Sequence, residues 1–222
     1  MSFEWAKPYP ELFRVCTLFQ RDDLQSPLKW TYFPLKSYLQ DGPQCGFTNN
    51  GEIFSVDYMV QLAKTVLKAK TIELYSRALN CQKIKDFILS GGYLLVPYDT
   101  NKDNYPGLHT GHKAHWCAIS GGIDTGDDFF VIARHGKAKN IAIWKLKELS
   151  DSNQQLFEFS PDRKLQDISY KLPYGGISGP LGLNGKSHST YKLLYYCPSC
   201  NPLTVPHHTN TNPHRKQSLN VH

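Results

Sequence analysis

No stretch of this 222-residue chain is apolar for long enough to cross a bilayer, and residues 1–8 lack the apolar run of a secretory signal. A membrane partner is therefore not expected, and a cytoplasmic protein is. The formal charge is +6, yet there is no arginine-rich run, no RNA-binding signature and no helix-turn-helix pattern. Lys64, Lys68, Lys70, Lys83 and Lys85 are dispersed over helix-like segments, and Lys137, Lys139, Lys145 and Lys147 form only a loose group. Nucleic-acid binding is set aside, and an acidic partner is the milder reading of the charge. Internal repeats are also missing. The cysteines, Cys16, Cys45, Cys81, Cys117, Cys197 and Cys200, are scattered through a chain without a signal, so a disulfide framework is not expected.

What the chain does have is a 40% hydrophobic content, enough for one compact core. Residues 1–29 carry aromatics and prolines without clear period and read as an irregular segment wrapping that core. From Ser55, the residues Val56, Met59, Val60, Ala63, Val66 and Leu67 recur at helical spacing, with Ser55 placed to cap a helix over 55–69. A second helix follows Asn80, with Ile84, Phe87 and Ile88 on one face and Gly91-Gly92 ending it. The period then changes. Short apolar runs at 93–98, 116–119, 129–133 and 141–144 read as strands, with a turn at 124–127 joining two of them into an antiparallel hairpin. A short helix is expected over 146–156 and one more strand at 191–196. Helices followed by an antiparallel sheet make an α+β arrangement in a domain spanning 30–196. Residues 197–222 are polar and proline-punctuated, and read as a disordered tail.

Two segments carry chemistry. Gly42-Pro43-Gln44-Cys45-Gly46 is followed some seventy residues later by Gly111-His112-Lys113-Ala114-His115-Trp116. A thiol attacks a carbonyl as the thiolate, and a histidine distant in sequence but near in space generates it. In papain-like enzymes the thiol sits at a helix N-terminus, the histidine arrives on a strand, and an upstream glutamine helps hold the oxyanion. Gln40 is the better oxyanion candidate, since Gln44 adjoins the thiol too closely to turn and face it. His115 opens the 116–119 run as a general base would, and His112 in the preceding loop is the alternative. The group that orients the imidazole stays open between His135, Asn140 and a backbone carbonyl. Cys16, Cys81 and Cys117 fit hydrophobic positions and receive no role. Asp127 and Asp128 read as turn residues. Cys197 and Cys200, followed by His207 and His208, resemble zinc ligands only weakly, because there is a single CxxC and a short gap to adjacent histidines. No cofactor or metal is expected.

The segments Leu39-Gln40-Asp41-Gly42-Pro43-Gln44-Cys45-Gly46, Gly51-Glu52-Ile53-Phe54-Ser55, Gly111-His112-Lys113-Ala114-His115-Trp116 and His135-Gly136-Lys137 closely resemble the actin maturation protease family, also described as actin aminopeptidases. The likeness covers residues 30–185. It implies a papain-like cysteine peptidase, helices packed on an antiparallel sheet, that removes the acetylated first residue (methionine or cysteine) from the N-terminus of immature actin in the cytoplasm. It puts the nucleophile on Cys45 and the base on His115. A proline-rich N-terminal extension that engages profilin also belongs to the family pattern and is expected to be missing here. The chain departs from the pattern directly after the nucleophile. The family continues from Cys-Gly into an apolar helix, whereas Cys45-Gly46 runs straight into Phe47-Thr48-Asn49-Asn50-Gly51. An internal deletion of the skipped-exon type accounts for this and makes the papain-like fold incomplete. It would deprive Cys45 of the helix dipole and N–H groups that lower a thiol's pKa, leaving it near 8.5. The alternative expectation is thus a catalytically impaired variant that binds actin or has no function. The stretch from Ser187 also looks unlike the family.

Overall fold

The computed structural model of the chain describes residues 3–36, 53–67, 72–161, 170 and 172–190. It shows an α+β fold in which all strand pairs are antiparallel. The strands are β1 (Lys29–Tyr32), β2 (Ile72–Tyr75), β3 (Tyr93–Thr100), β4 (Pro106–Gly107), β5 (Ala114–Asp124), β6 (Phe129–His135), β7 (Ala142–Lys145) and β8 (Ser187–Thr190). The helices are α1 (Pro10–Leu18), α2 (Val56–Leu67), α3 (Gln82–Leu89) and α4 (Leu146–Gln154). The sheet runs β2-β8-β3-β5-β6-β7, with β1 added to β5 and β4 to β3.

Strand β5 is the axis of this sheet. Its first half pairs with β3, its second half pairs with β1, and β6 runs along the opposite edge. The register shifts between Ile119 and Gly121, so one extra residue is accommodated there. Side-chain parity flips in consequence: Cys117 and Ile119 point into one core layer, while Ile123 points into the other. Gly121 permits the crossing of β1, because a Cβ at that position would lie 2.3 Å from the Thr31 carbonyl oxygen.

One face of the sheet is covered by α3 and α4 through Ile84, Ile88, Leu146 and Leu149, which pack on Leu94, Val96, Cys117, Ile119 and Val131. The other face is covered near Ile123, Phe130 and Ile132 by Leu12, Val15 and Cys16 of α1. Beneath Ala114 and Trp116 it is covered by Phe54, Val56, Val60 and Ala63 at the start of α2.

The local signals behave as their chemistry requires. Ser55 caps α2, its Oγ accepting the Tyr58 N–H at 3.2 Å. Helix α3 ends in a Schellman arrangement: Gly91, at φ 92°, donates to Ile88 O and Gly92 donates to Phe87 O, both at 3.0 Å. The β5–β6 turn is closed by Gly126 N–H on Asp124 Oδ1 at 2.9 Å. Several elements depart from the sequence reading. The aperiodic N-terminal segment contains α1, which starts at Pro10, a favoured first helical position. Strand β5 extends well beyond 116–119 at both ends. Strands β1, β2, β4 and β8 lie where the sequence reading places no strand, and the strand expected at 191–196 lies outside the described residues.

Candidate active site

His115 is the second residue of β5 and half-buried. Strand alternation puts it on the same face as Cys117 and Ile119, directly opposite Tyr98 of β3. Opposed side chains of this kind are about 5 Å apart at Cβ. Tyr98 is buried and held from two sides. Its hydroxyl donates to Asn104 O at 3.2 Å, and its ring tilts against Trp144 at 5.1 Å. Trp144 also stacks on His135, with centroids 5.7 Å apart and planes 20° from parallel.

Of the groups considered for orienting the imidazole, His135 is the one on this face. It lies opposite Cys117, one diagonal step from His115, a separation of about 7–8 Å in an antiparallel pair. It is 7% exposed, and its Nδ1 has no hydrogen-bond partner among the described residues. Burial, reinforced by the charges of Lys137 and Arg134, pushes its pKa down to about 4, so the ring is neutral at pH 7. Asn140 is engaged elsewhere, its Oδ1 accepting Arg14 Nη2 at 2.7 Å. His112 is tied to Glu158, with Nε2 and Oε2 2.9 Å apart. Burial raises the Cys16 thiol to about 11 and pushes Cys117 up as well, which suits the packing role assigned to both.

Gln40, Gln44 and Cys45 lie outside the described residues, as do Phe47 to Glu52 and Cys197, Cys200, His207 and His208. The described residues on either side of the segment that carries Cys45 are bonded to β5. On the N-terminal side, Phe33 N–H donates to Ser120 O at 2.9 Å. On the C-terminal side, Ile53 O accepts the indole N–H of Trp116 at 2.9 Å. Both anchors are on β5, four residues and so about 13 Å apart, and one of them adjoins His115. Among the described residues, no group of three or more His, Cys, Asp or Glu side chains is placed to hold a metal, and no helix is long and apolar enough to cross a membrane.

The turn that delivers His115 is held by a residue that sequence reasoning missed. Asp99, at the end of β3, is fully buried, and its carboxylate accepts N–H groups from His109, Gly111, Lys113 and Gln155. Three polar residues of α4 were missed with it. Ser150 Oγ accepts the N–H groups of Leu79 and Asn80, Ser152 Oγ bonds Gly107 O and Asp99 N–H, and Asn153 Nδ2 donates to Pro97 O and Lys186 O. A carboxylate closing an apolar strand was the one available signal.

A family model described as "Actin maturation protease-like, C-terminal domain" matches residues 29–123, from the first residue of β1 almost to the end of β5. A Drosophila melanogaster protein named "Actin maturation protease" is 37% identical over 207 residues, spanning 81% of this chain and 78% of its own. The chain belongs to the actin maturation protease family. Proteins of the same name from Danio rerio and Homo sapiens are 27% and 26% identical, over 72% and 81% of this chain and 73% and 72% of their own. No solved structure matches. The family match takes in the Cys45 segment, Asp99 and His115 together. The aligned length of 207 exceeds 81% of 222 residues, so the fly member has residues in the matched region that this chain lacks.

Proposed function

We propose that this chain is a papain-like cysteine aminopeptidase of the family, removing the acetylated first residue, methionine or cysteine, from immature actin in the cytoplasm. Cys45 is the nucleophile, His115 the base, and Gln40 with backbone N–H groups the oxyanion site. The Cys45 thiolate adds to the carbonyl carbon of the first residue, and charge develops on its oxygen beside those donors. The peptide C–N bond then breaks as the His115 imidazolium gives its proton to the departing amine of the second residue. Water, deprotonated by His115, cleaves the thioester, releasing the acetylated amino acid and restoring the thiol.

The observation that carries this reading is the bracketing of the Cys45 segment by β5. Phe33 holds its approach to Ser120, and Trp116, the residue after His115, holds its exit through Ile53. Both ends of the nucleophile's segment are thereby tied to the strand that bears the base.

A second reading, a catalytically impaired variant, is supported by a different observation. Cys45-Gly46 runs straight into Phe47–Gly51, and the chain is shorter than its fly relative across the matched region. One experiment separates the two. The full chain and its Cys45→Ala and His115→Ala variants are incubated with an acetylated actin N-terminal peptide, and loss of the first residue is followed by mass spectrometry. Turnover by the parent that both substitutions abolish supports the peptidase. Equal rates in all three chains would sink it in favour of the variant.

A further inference from the structure

We propose that Asp99 is the positioning residue of the active-site base, locking the turn from which His115 enters β5; this rests on the reading of His115 as base. Asp99 is 0% exposed, and among the described residues no ion pair involves it. A buried carboxylate is costly unless N–H donors surround it. Here Oδ2 accepts His109 N–H at 2.9 Å, Gly111 N–H at 2.7 Å and Gln155 Nε2 at 2.7 Å, while Oδ1 accepts Lys113 N–H at 2.9 Å. Three of the four donors are backbone groups of a single turn.

That turn adopts a shape its sequence does not favour unaided. Thr110 sits at φ 56° and Gly111 at φ 104°. Left-handed backbone is unusual for a β-branched residue and persists only where surrounding contacts impose it. Asp99 grips the N–H on either side of Thr110. The Thr110 N–H itself is held by Gln155 Oε1, on the same amide whose nitrogen returns to Asp99. The Thr110 carbonyl oxygen takes the N–H groups of Phe157 and Glu158, at 2.9 and 2.7 Å. Two residues beyond Lys113, the chain reaches His115. In the sheet, Asp99 is paired with Ala114 and the adjacent Tyr98 with His115. One residue thus sets where β5 begins, and its neighbour provides the surface against which the imidazole is presented.

A group that only stabilises the fold would lower activity in step with the folded fraction. A positioning group changes the chemistry of folded molecules, since small displacements of a catalytic group cost large factors in rate. The full chain is compared with Asp99→Asn and His115→Ala, with folding verified by near-UV circular dichroism. Two quantities are read: the rate of Cys45 alkylation by iodoacetamide between pH 5 and 9, followed on the Cys45 peptide by mass spectrometry, and kcat and KM on the acetylated peptide. His115→Ala is expected to slow Cys45 alkylation at pH 6. Folded Asp99→Asn is expected to do the same and to lower kcat by about tenfold or more with KM within about twofold. Normal Cys45 alkylation in folded Asp99→Asn, alongside slowed alkylation in His115→Ala, overturns the positioning role alone. Unchanged alkylation in His115→Ala overturns the Cys45–His115 pair, and the inference with it. If Asp99→Asn does not fold, Gly111→Ala decides by the same criteria. It strains the turn without removing the charge, because its Cβ would meet Glu158 O at 2.6 Å.

Discussion

Replacing Glu11 by alanine should unfasten the N-terminal helix from the sheet, and the structure sets the size of the effect. Arg134, the penultimate residue of β6, is 9% exposed, whereas Glu11 in the first turn of α1 is 29% exposed. Arg134 Nη2 donates to Glu11 Oε2 at 2.6 Å, Arg134 Nη1 donates to Lys139 O at 2.9 Å, and Glu11 Oε1 accepts Ile141 N–H at 3.1 Å. The alanine variant loses one charge-assisted bond, strands a backbone N–H and leaves a guanidinium buried without its counter-charge. Breaking a fully buried pair costs about 3–5 kcal/mol. Because Glu11 is partly wetted, water reaches the vacated site, and a loss of about 2–4 kcal/mol follows. Glu11→Gln keeps an acceptor but not the charge and should cost about half as much.

Removing both partners behaves differently. With Glu11→Leu and Arg134→Met together, no charge is stranded, and stability should return to within about 1 kcal/mol of the parent. Urea unfolding followed by far-UV circular dichroism measures all of these, with an unchanged m value confirming a two-state comparison. A cost below about 0.5 kcal/mol for Glu11→Ala would refute the clamp. So would a double variant whose loss equals the sum of the singles, since that is what independent sites give.

Two further outcomes are expected. His135 binds a proton in the folded chain only near pH 4, whereas the unfolded side chain does so near 6.5. Below pH 6.5 the unfolded state therefore holds the extra proton, and stability is lost as pH falls from 6.5 to about 4, with a slope approaching about 1.4 kcal/mol per pH unit from this group. His135→Phe should flatten that slope in urea titrations at pH 7, 5.5 and 4.5, and an unaltered slope would show that the ring is not held neutral. Gly121→Ala should force β1 from β5, because its Cβ would meet two backbone atoms, Thr31 O at 2.3 Å and Tyr32 Cα at 2.9 Å. A loss of about 1–3 kcal/mol, with faster hydrogen exchange at Leu28 and Phe33, is the expected result, and normal exchange at both would contradict it.

Elements whose signals are local were legible in the sequence. Helices α2 and α3 have an apolar period together with a cap or a glycine stop, and β3, β6 and β7 are apolar runs between breakers. Reading failed where meaning depends on a distant partner. Ser120-Gly121-Gly122 resembles a loop but is the middle of β5, with Gly121 there for the close passage of β1. Helix α4 is polar in composition, yet Ser150, Ser152 and Asn153 are buried because their hydrogen-bond partners come from strand ends and loops far off in sequence. For Asp99 the sequence offers only a carboxylate closing an apolar strand, since its partners lie ten to fifty-six residues away. The place of His115 at a strand start was legible, because an apolar run follows it directly.

The two readings of this chain differ in the state of one thiol, and the placement of the base does not decide between them. His115 is paired with Tyr98 of β3 and follows the 109–113 turn that Asp99 holds. The described strand and turn are therefore compatible with either outcome. On the second reading, the chain would lack the dipole and N–H groups that favour the thiolate. Without them a thiol near pKa 8.5 is only about 3% thiolate at pH 7, whereas a thiol paired with an imidazolium is almost fully ionised. The two states differ by roughly thirtyfold in the reactive species at pH 7, less the lower intrinsic nucleophilicity of the more acidic thiolate. The pH at which Cys45 alkylation reaches half its maximum is thus the measurement that tells them apart: an inflection near 8.5 means that the thiol is not activated, and one well below 7 means that β5 brings the pair together.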